Sequence, residues 1–273
     1  MIPKSTLLVV GLLAYQQMTT VQARDIPPNL QSFYATVKET PCSRPLRTGF
    51  EDGHGNPGFS YCGDYKGLIY LTGPSDLPLG DMDVDCDGID RSAGSCVDDT
   101  TGQDETSFRK TVTKYNIPDL NSSVHSYVVF GNQDAEPTFD PWRAGMEPLS
   151  VMAIFYGVWG DKNGGVYTGE ASISLASACF PDDEISGDQG YSGHDVLYLG
   201  FKGKRAVPGK KGADWGARSF GDFEDSLARI GDGLVARVSD SDHQRQADTG
   251  LVSRPRSSSA VYVWILLVTL AVC

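Results

Sequence analysis

The sequence predicts a mainly β domain, a β-rich α+β fold, on three observations. Turn formers are abundant, with 31 Gly and 15 Pro in 273 residues. Short runs rich in Val, Ile, Tyr and Phe recur between Gly, Pro or Asp, as strands do. Only two stretches keep apolar residues at helical spacing. With 40% hydrophobic and 21% charged residues, the chain is ordinary globular material able to bury one full core.

Residues 1–23 read as a secretory signal peptide: Lys4, the apolar run LLVVGLLAY from Leu7 to Tyr15, then a polar stretch in which Val21 and Ala23 fit a cleavage site. That run is too short to span a bilayer. The mature chain is expected to begin near Arg24, and loss of Lys4 takes the formal charge from −12 to −13. Residues 24–235 hold no repeat or linker and read as one domain. Its strands are predicted at GLIYL (67–71), SYVVFG (126–131), VMAIFYGVWG (151–160) and DVLYLGF (195–201). One helix is predicted in ASISLASACF, where Ile173, Ala176 and Phe180, with Leu175 and Cys179, follow a candidate N-cap at Ser172. A second is predicted in ARSFGDFEDSLARI, with Phe220, Phe223, Leu227 and Ile230 on one face and Gly231 as its stop.

Residues 236–259 are polar and short of large apolar side chains, so they read as a disordered stalk. The apolar tail at 260–273 is short for a transmembrane helix. Asp248, Thr249 and Gly250, the polar LVSRPRSSS and this tail follow the order of a glycosylphosphatidylinositol anchor signal; an unprocessed, membrane-associated tail is the other reading.

The chain is acidic, with a pI near 4.7. Nucleic acid is excluded as a partner, because no basic face could neutralise phosphates. The one basic cluster, KGKRAVPGKKG at 202–212, is broken by glycine and proline and reads as a solvated loop. A cationic ligand would be favoured. Of the six cysteines, Cys273 would leave with the tail. Cys86 and Cys96 are the first candidate disulfide and Cys42 and Cys62 the second, with Cys179 left as a buried free thiol, although spacing alone does not decide connectivity. The absence of any CxxC pair removes support for a zinc or thioredoxin-like motif. Asn121, in NSS, is a glycosylation sequon.

The stretch VMAIFYGVWGDKNGGVYTGEASISL places Asp161 at the tip of an apolar strand, a turn at Gly164 and Gly165, and Glu170 at the opening of a helix. Two carboxyls on either side of one loop suit glycoside hydrolysis, in which one gives a proton and the other activates water. Trp159, Tyr156 and Tyr167 could desolvate one of them and part their pKa values. An Asp at a turn and a Glu at a helix start also have structural uses. His194 reads as a surface or structurally bonded histidine, since no nucleophile accompanies it.

The run DMDVDCDGID (81–90) has three readings. DVDCDG at 83–88 matches the first half of a calcium loop, but the twelfth position is Gly94, where a Glu is required. A solvated acidic loop is the second. The third is a substrate-facing strand, because Asp81, Asp83, Asp85 and Asp87 alternate and would share one face of an extended segment.

The run YGVWGDKNGGVYTGEASISLASACFP, with DMDVDCDGID and SYVVFGN…FDPWRAGMEPLSVMAIFYG before it and DVLYLGF after it, resembles the fungal chitosanases of glycoside hydrolase family 75 over about residues 60–231. The resemblance implies a secreted endo-acting hydrolase that cleaves β-1,4 links of chitosan with inversion, 24–235 being its catalytic domain. Its two essential acids fall on Asp161 and Glu170. We assign Glu170 as general acid and Asp161 as the base, and expect Asp83, Asp85, Trp159 and Tyr167 to bind substrate. A weak likeness of the GD…GG…GE loop to double-psi barrels implies a compact six-stranded barrel with short peripheral helices. No cofactor or metal is expected, and the expected state is a monomer whose partner is the cationic polysaccharide. The alternatives are an inactive, calcium-stabilised wall protein and a hydrolase of chitin or a neutral glucan.

Overall fold

A computed structural model describes residues 25–153 and 155–238. The expected signal peptide, nearly all of the expected stalk and the apolar tail at 260–273 lie outside the described residues. Among the described residues there are ten strands and four α-helices: α1 (Pro28–Glu39), β1 (Pro45–Glu51), β2 (Pro57–Cys62), β3 (Leu68–Thr72), β4 (Gly80–Asp85), α2 (Arg109–Val112), β5 (Tyr127–Asn132), β6 (Val151–Ala153), β7 (Gly157–Asn163), β8 (Glu170–Ser172), α3 (Ile173–Cys179), β9 (Tyr191–Val196), β10 (Leu199–Phe201) and α4 (Phe220–Val235). No helix among the described residues is long and apolar enough to cross a membrane.

The mainly β class holds; among the described residues the sheet is not closed into the expected six-stranded barrel. The strands make one mixed sheet in the order β1-β2-β3-β10-β6-β7-β5-β8-β4-β9, open between β1 and β9. Its two ends are brought together by side chains: His194 of β9 lies 2.9 Å from Asp52, just past β1. A short bridge from Glu51 to Tyr167 adds to this seam. Short strands with irregular register, three of whose pairings contain shifts, curl the sheet without completing a ladder.

Several local expectations change. The run 151–160 is two strands, β6 and β7, paired Val151 to Val158 and Met152 to Gly157. The turn between them carries no turn-forming residue; Tyr156 is instead held by tertiary bonds, its hydroxyl donating to Asp232 and its carbonyl accepting from Ser126 Oγ. DVLYLGF likewise divides into the end of β9 and β10, with Tyr198 at the corner donating to the Asp81 carbonyl. Glu170 sits on β8, and the helix starts three residues later. Ser172 occupies the predicted cap position, yet its hydroxyl accepts from Tyr127 N rather than capping α3.

Ser219 caps helix α4, its Oγ accepting from Asp222 N and donating to the Asp222 carboxylate. It does not stop at Gly231 but runs on to Val235. Glycine is required there because the ring of Tyr156 occupies the place of a Cβ. Helix α1 was not anticipated; it buries Leu30, Phe33, Tyr34 and Val37, with Phe33 edge-on to Tyr65 and Tyr70. Cys42–Cys62 and Cys86–Cys96 are both formed, as expected. Cys179, however, is disulfide-bonded and half-buried, not a buried free thiol, and no cysteine among the described residues is free.

Candidate active site

Strand register assembles the site. Val129 of β5 pairs with Asp161 of β7 on one side and with Glu170 of β8 on the other, and Glu170 pairs in turn with Asp83 of β4. Residues at one register position project to one face of a sheet. Asp161, Val129, Glu170 and Asp83 therefore form a row across four adjacent strands. With strands about 4.8 Å apart, the backbones of Asp161 and Glu170 stand roughly 10 Å apart, with Val129 between them.

A bulge sets which residue of β7 joins that row. One step on β5, Val128 to Val129, spans two on β7, Trp159 to Asp161. The extra residue is Gly160, where a Cβ would lie 2.6 Å from Tyr127 and 2.7 Å from Leu120. Asp161 thus shares the face of Val129, and Trp159 turns to the other. Trp159 is completely buried, edge-on to Phe108, with its indole N–H on the Asp161 carbonyl. It backs the site instead of lining it, which corrects its expected contact with substrate.

The two carboxyls are held differently. Asp161 Oδ1 accepts from Ser107 N at 3.0 Å, from Ser107 Oγ and from Lys162 N at 2.7 Å. Its Oδ2 is buried with no hydrogen-bond partner among the described residues. Ser107 is itself fixed by its neighbour Thr106, whose N–H and hydroxyl both donate to the buried Asp119. Burial pushes Asp161 up, the Ser107 and Lys162 donors pull it back, and it rests at about 6. Glu170 is half-buried and accepts one bond, from Asn163 Nδ2 at 2.5 Å. Burial first, then the charges of Asp83, Asp161 and Asp87, outweigh that bond and push it to about 7.

Asp85, half-buried on β4, is held well above the usual carboxylate range by burial and by the Asp161, Asp87 and Glu170 charges. Asp87 accepts from Gln103 N and is pushed up to about 7, chiefly by burial. A cleft of about 300 Å³ opens here, with Asp87, Thr106, Ser107, Gln133, Asp161 and Lys162 in its wall. DVDCDG is strand β4 and its disulfide, not a loop between helices. Tyr167 is 45% exposed beside the turn at Gly165. Asn121 is half-buried, its amide donating to Asp90 at 3.2 Å.

The profile of the fungal chitosanases of glycosyl hydrolase group 75 matches residues 82–237. An endo-chitosanase of Aspergillus oryzae is 48% identical over 238 residues, which covers 83% of this chain and 97% of that protein. An endo-chitosanase of Aspergillus fumigatus is 47% identical over 233 residues, 82% of this chain and 96% of its own. Endo-chitosanase C of Aspergillus oryzae is more distant, at 27% over 202 residues, with 71% of this chain and 48% of that protein covered. No solved structure is a significant match. With close relatives aligned nearly end to end and the family profile spanning both carboxyls of the row, this chain belongs to the fungal chitosanases of glycosyl hydrolase group 75.

Proposed function

We propose that the protein is a secreted endo-chitosanase that hydrolyses β-1,4 links between glucosamine units with inversion, Glu170 acting as general acid and Asp161 as general base. The observation that carries this is the unequal support of two carboxyls in one register row. Three donors on Oδ1 favour an ionised Asp161, while its Oδ2 is left to accept from a water. Glu170, with one donor and several like charges, keeps its proton to higher pH. In the reaction Glu170 gives that proton to the glycosidic oxygen as its bond to the anomeric carbon breaks. Water attacks that carbon from the opposite face and passes a proton to Asp161.

Backbones about 10 Å apart with Val129 between them support a separation wide enough to seat that water, of the order of the 6.5–9.5 Å of inverting pairs. Asp83 and Asp85 beside Glu170 favour a polymer carrying ammonium groups, and the exposed ring of Tyr167 offers an apolar face to a sugar. Secretion is supported by the disulfides, which persist in oxidising compartments. Glycosylation at Asn121 and attachment through the apolar tail belong to the same proposal. The test is release of reducing ends from highly deacetylated chitosan by the full chain, run beside Glu170→Gln. Activity that disappears in the variant supports the reading; a folded but inactive wild-type chain contradicts it.

A further inference from the structure

The seam where the ends of the sheet meet holds a second cluster, which shares only Asp83 with the proposed substrate site. Asp52 and His54 come from the β1–β2 turn, Asp81 and Asp83 from β4, and His194 from β9. Asp52, Asp81 and His194 form one trio and His54, Asp81 and Asp83 another, each with its nitrogen and oxygen atoms within 4.8 Å of one another. Asp81 is common to both. It is completely buried, and neither of its carboxyl oxygens has a hydrogen-bond partner among the described residues. Room for it is made by Gly169, whose φ of +95° and missing side chain leave the space that a Cβ would take from Asp81 Oδ1.

A buried carboxyl without a hydrogen bond is unusual whichever form it takes: ionised, it meets a protonated His54 at 3.6 Å, beyond hydrogen-bond reach, and protonated it leaves a donor unused. His54 Nε2 lies 3.6 Å from Asp81 Oδ2 and 2.9 Å from Asp83 Oδ1, and His194 Nε2 lies 2.9 Å from Asp52 Oδ2. Bonds of about 2.0–2.1 Å to one ion place adjacent ligand atoms about 2.9–3.4 Å apart, close to these spacings. Asp52 is in turn oriented by His54 N, Asn56 N and Asn56 Nδ2, the outer support that ligating carboxylates commonly have. The His54 side is open to solvent, its side chain 53% exposed, and supplies an entry path.

We propose that this seam binds one divalent transition-metal ion, with Asp81 as the central ligand, His54 and His194 as nitrogen ligands, and Asp52 and Asp83 completing the shell. Two imidazoles among carboxylates suit zinc, cobalt or manganese better than calcium, which takes oxygen donors. The ion would tie the β1–β2 turn to β4 and β9 across the gap where β1 and β9 share no ladder. Its test uses the tag-free full chain, stripped with a chelator and titrated with Co²⁺ and then Zn²⁺ in the absence of substrate, so the outcome is independent of hydrolysis. The expected result is one Co²⁺ per chain with a visible absorption band that Zn²⁺ abolishes, and a melting temperature several degrees higher. Asp81→Asn should lose the ion. Because that buried variant could fail to fold, the exposed His54→Gln is measured too, and should weaken Co²⁺ binding at least tenfold. No Co²⁺ bound, or binding unchanged in His54→Gln, overturns the proposal. So does binding that Asp87→Asn removes while His54→Gln keeps it, since the ion would then sit in the cleft.

Discussion

The cleft cluster around Asp161 and the seam cluster around Asp81 are both acidic, both largely buried and both supplied by β4, yet they are constructed for different partners. In the cleft, every carboxyl is graded by its donors: three on Asp161, one on Glu170, and one each on Asp85 and Asp87. In the seam, the central carboxyl has none and imidazole nitrogens converge beside it. Burial raises pKa values at both places and does not distinguish them. What distinguishes them is which donors are present and whether a cavity opens on the acid.

The largest effect that could break this comparison comes from the graded pair itself. Glu170→Gln and Asp161→Asn should each lower turnover on chitosan by about 10²- to 10⁴-fold with the melting curve preserved. Near-normal activity in Asp161→Asn would remove the base from the account.

Stability is next in size. Replacing both Cys86 and Cys96 by serine should cost about 2–4 kcal/mol, read from denaturant unfolding. Their bridge closes the loop after β4, so the loss should reach the cleft cluster as reduced activity at temperatures where the chain is still folded.

A smaller change sharpens the contrast between the two carboxyls. Activity should follow a narrow bell with its acid limb near 6, where Asp161 must be ionised, and its alkaline limb near 7, where Glu170 must keep its proton. Ser107→Ala removes one of the donors that pull Asp161 down, so the acid limb should move to higher pH while turnover falls about tenfold. A limb that stays in place would show that Ser107 is only structural.

The smallest effect is on stability against pH in the presence of a chelator. Glu170 and Asp87 sit near 7 in the folded chain and near 4 when unfolded, so folding holds their protons more tightly. That contribution is complete below about pH 4 and is lost as pH rises through about 7. The melting temperature should therefore fall by several degrees between pH 5 and 8, measured by calorimetry.

Much of this was legible in the residues, and the gaps have physical causes. Asp161 and Glu170 stand out because apolar strands and glycines flank them, and the alternation of Asp81, Asp83 and Asp85 survives as one face of β4. Helix α1 is short and has prolines at its start and no side-chain cap, so its face of Leu30, Phe33, Tyr34 and Val37 is a weak signal in the chain. Trp159 was misplaced because a bulge at Gly160 breaks the period of two, and only the clash with Tyr127 reveals that bulge. The β6–β7 turn and the passage of α4 through Gly231 depend on Tyr156, a tertiary contact with no local signature. Ser107 reaches Asp161 across 54 positions, and the seam joins residues 52, 81 and 194, so pattern in the chain could not bring either together.

The most direct test of the central claim is the anomeric form of the first reducing end released, followed by proton NMR as the full chain begins to cleave a chitosan oligomer. Inversion at a β link by the Glu170 and Asp161 pair predicts that the α-anomer appears first and then mutarotates. A β-anomer appearing first would mean that the two carboxyls act through a covalent intermediate, and would contradict the assignment of Asp161 as a base acting on water.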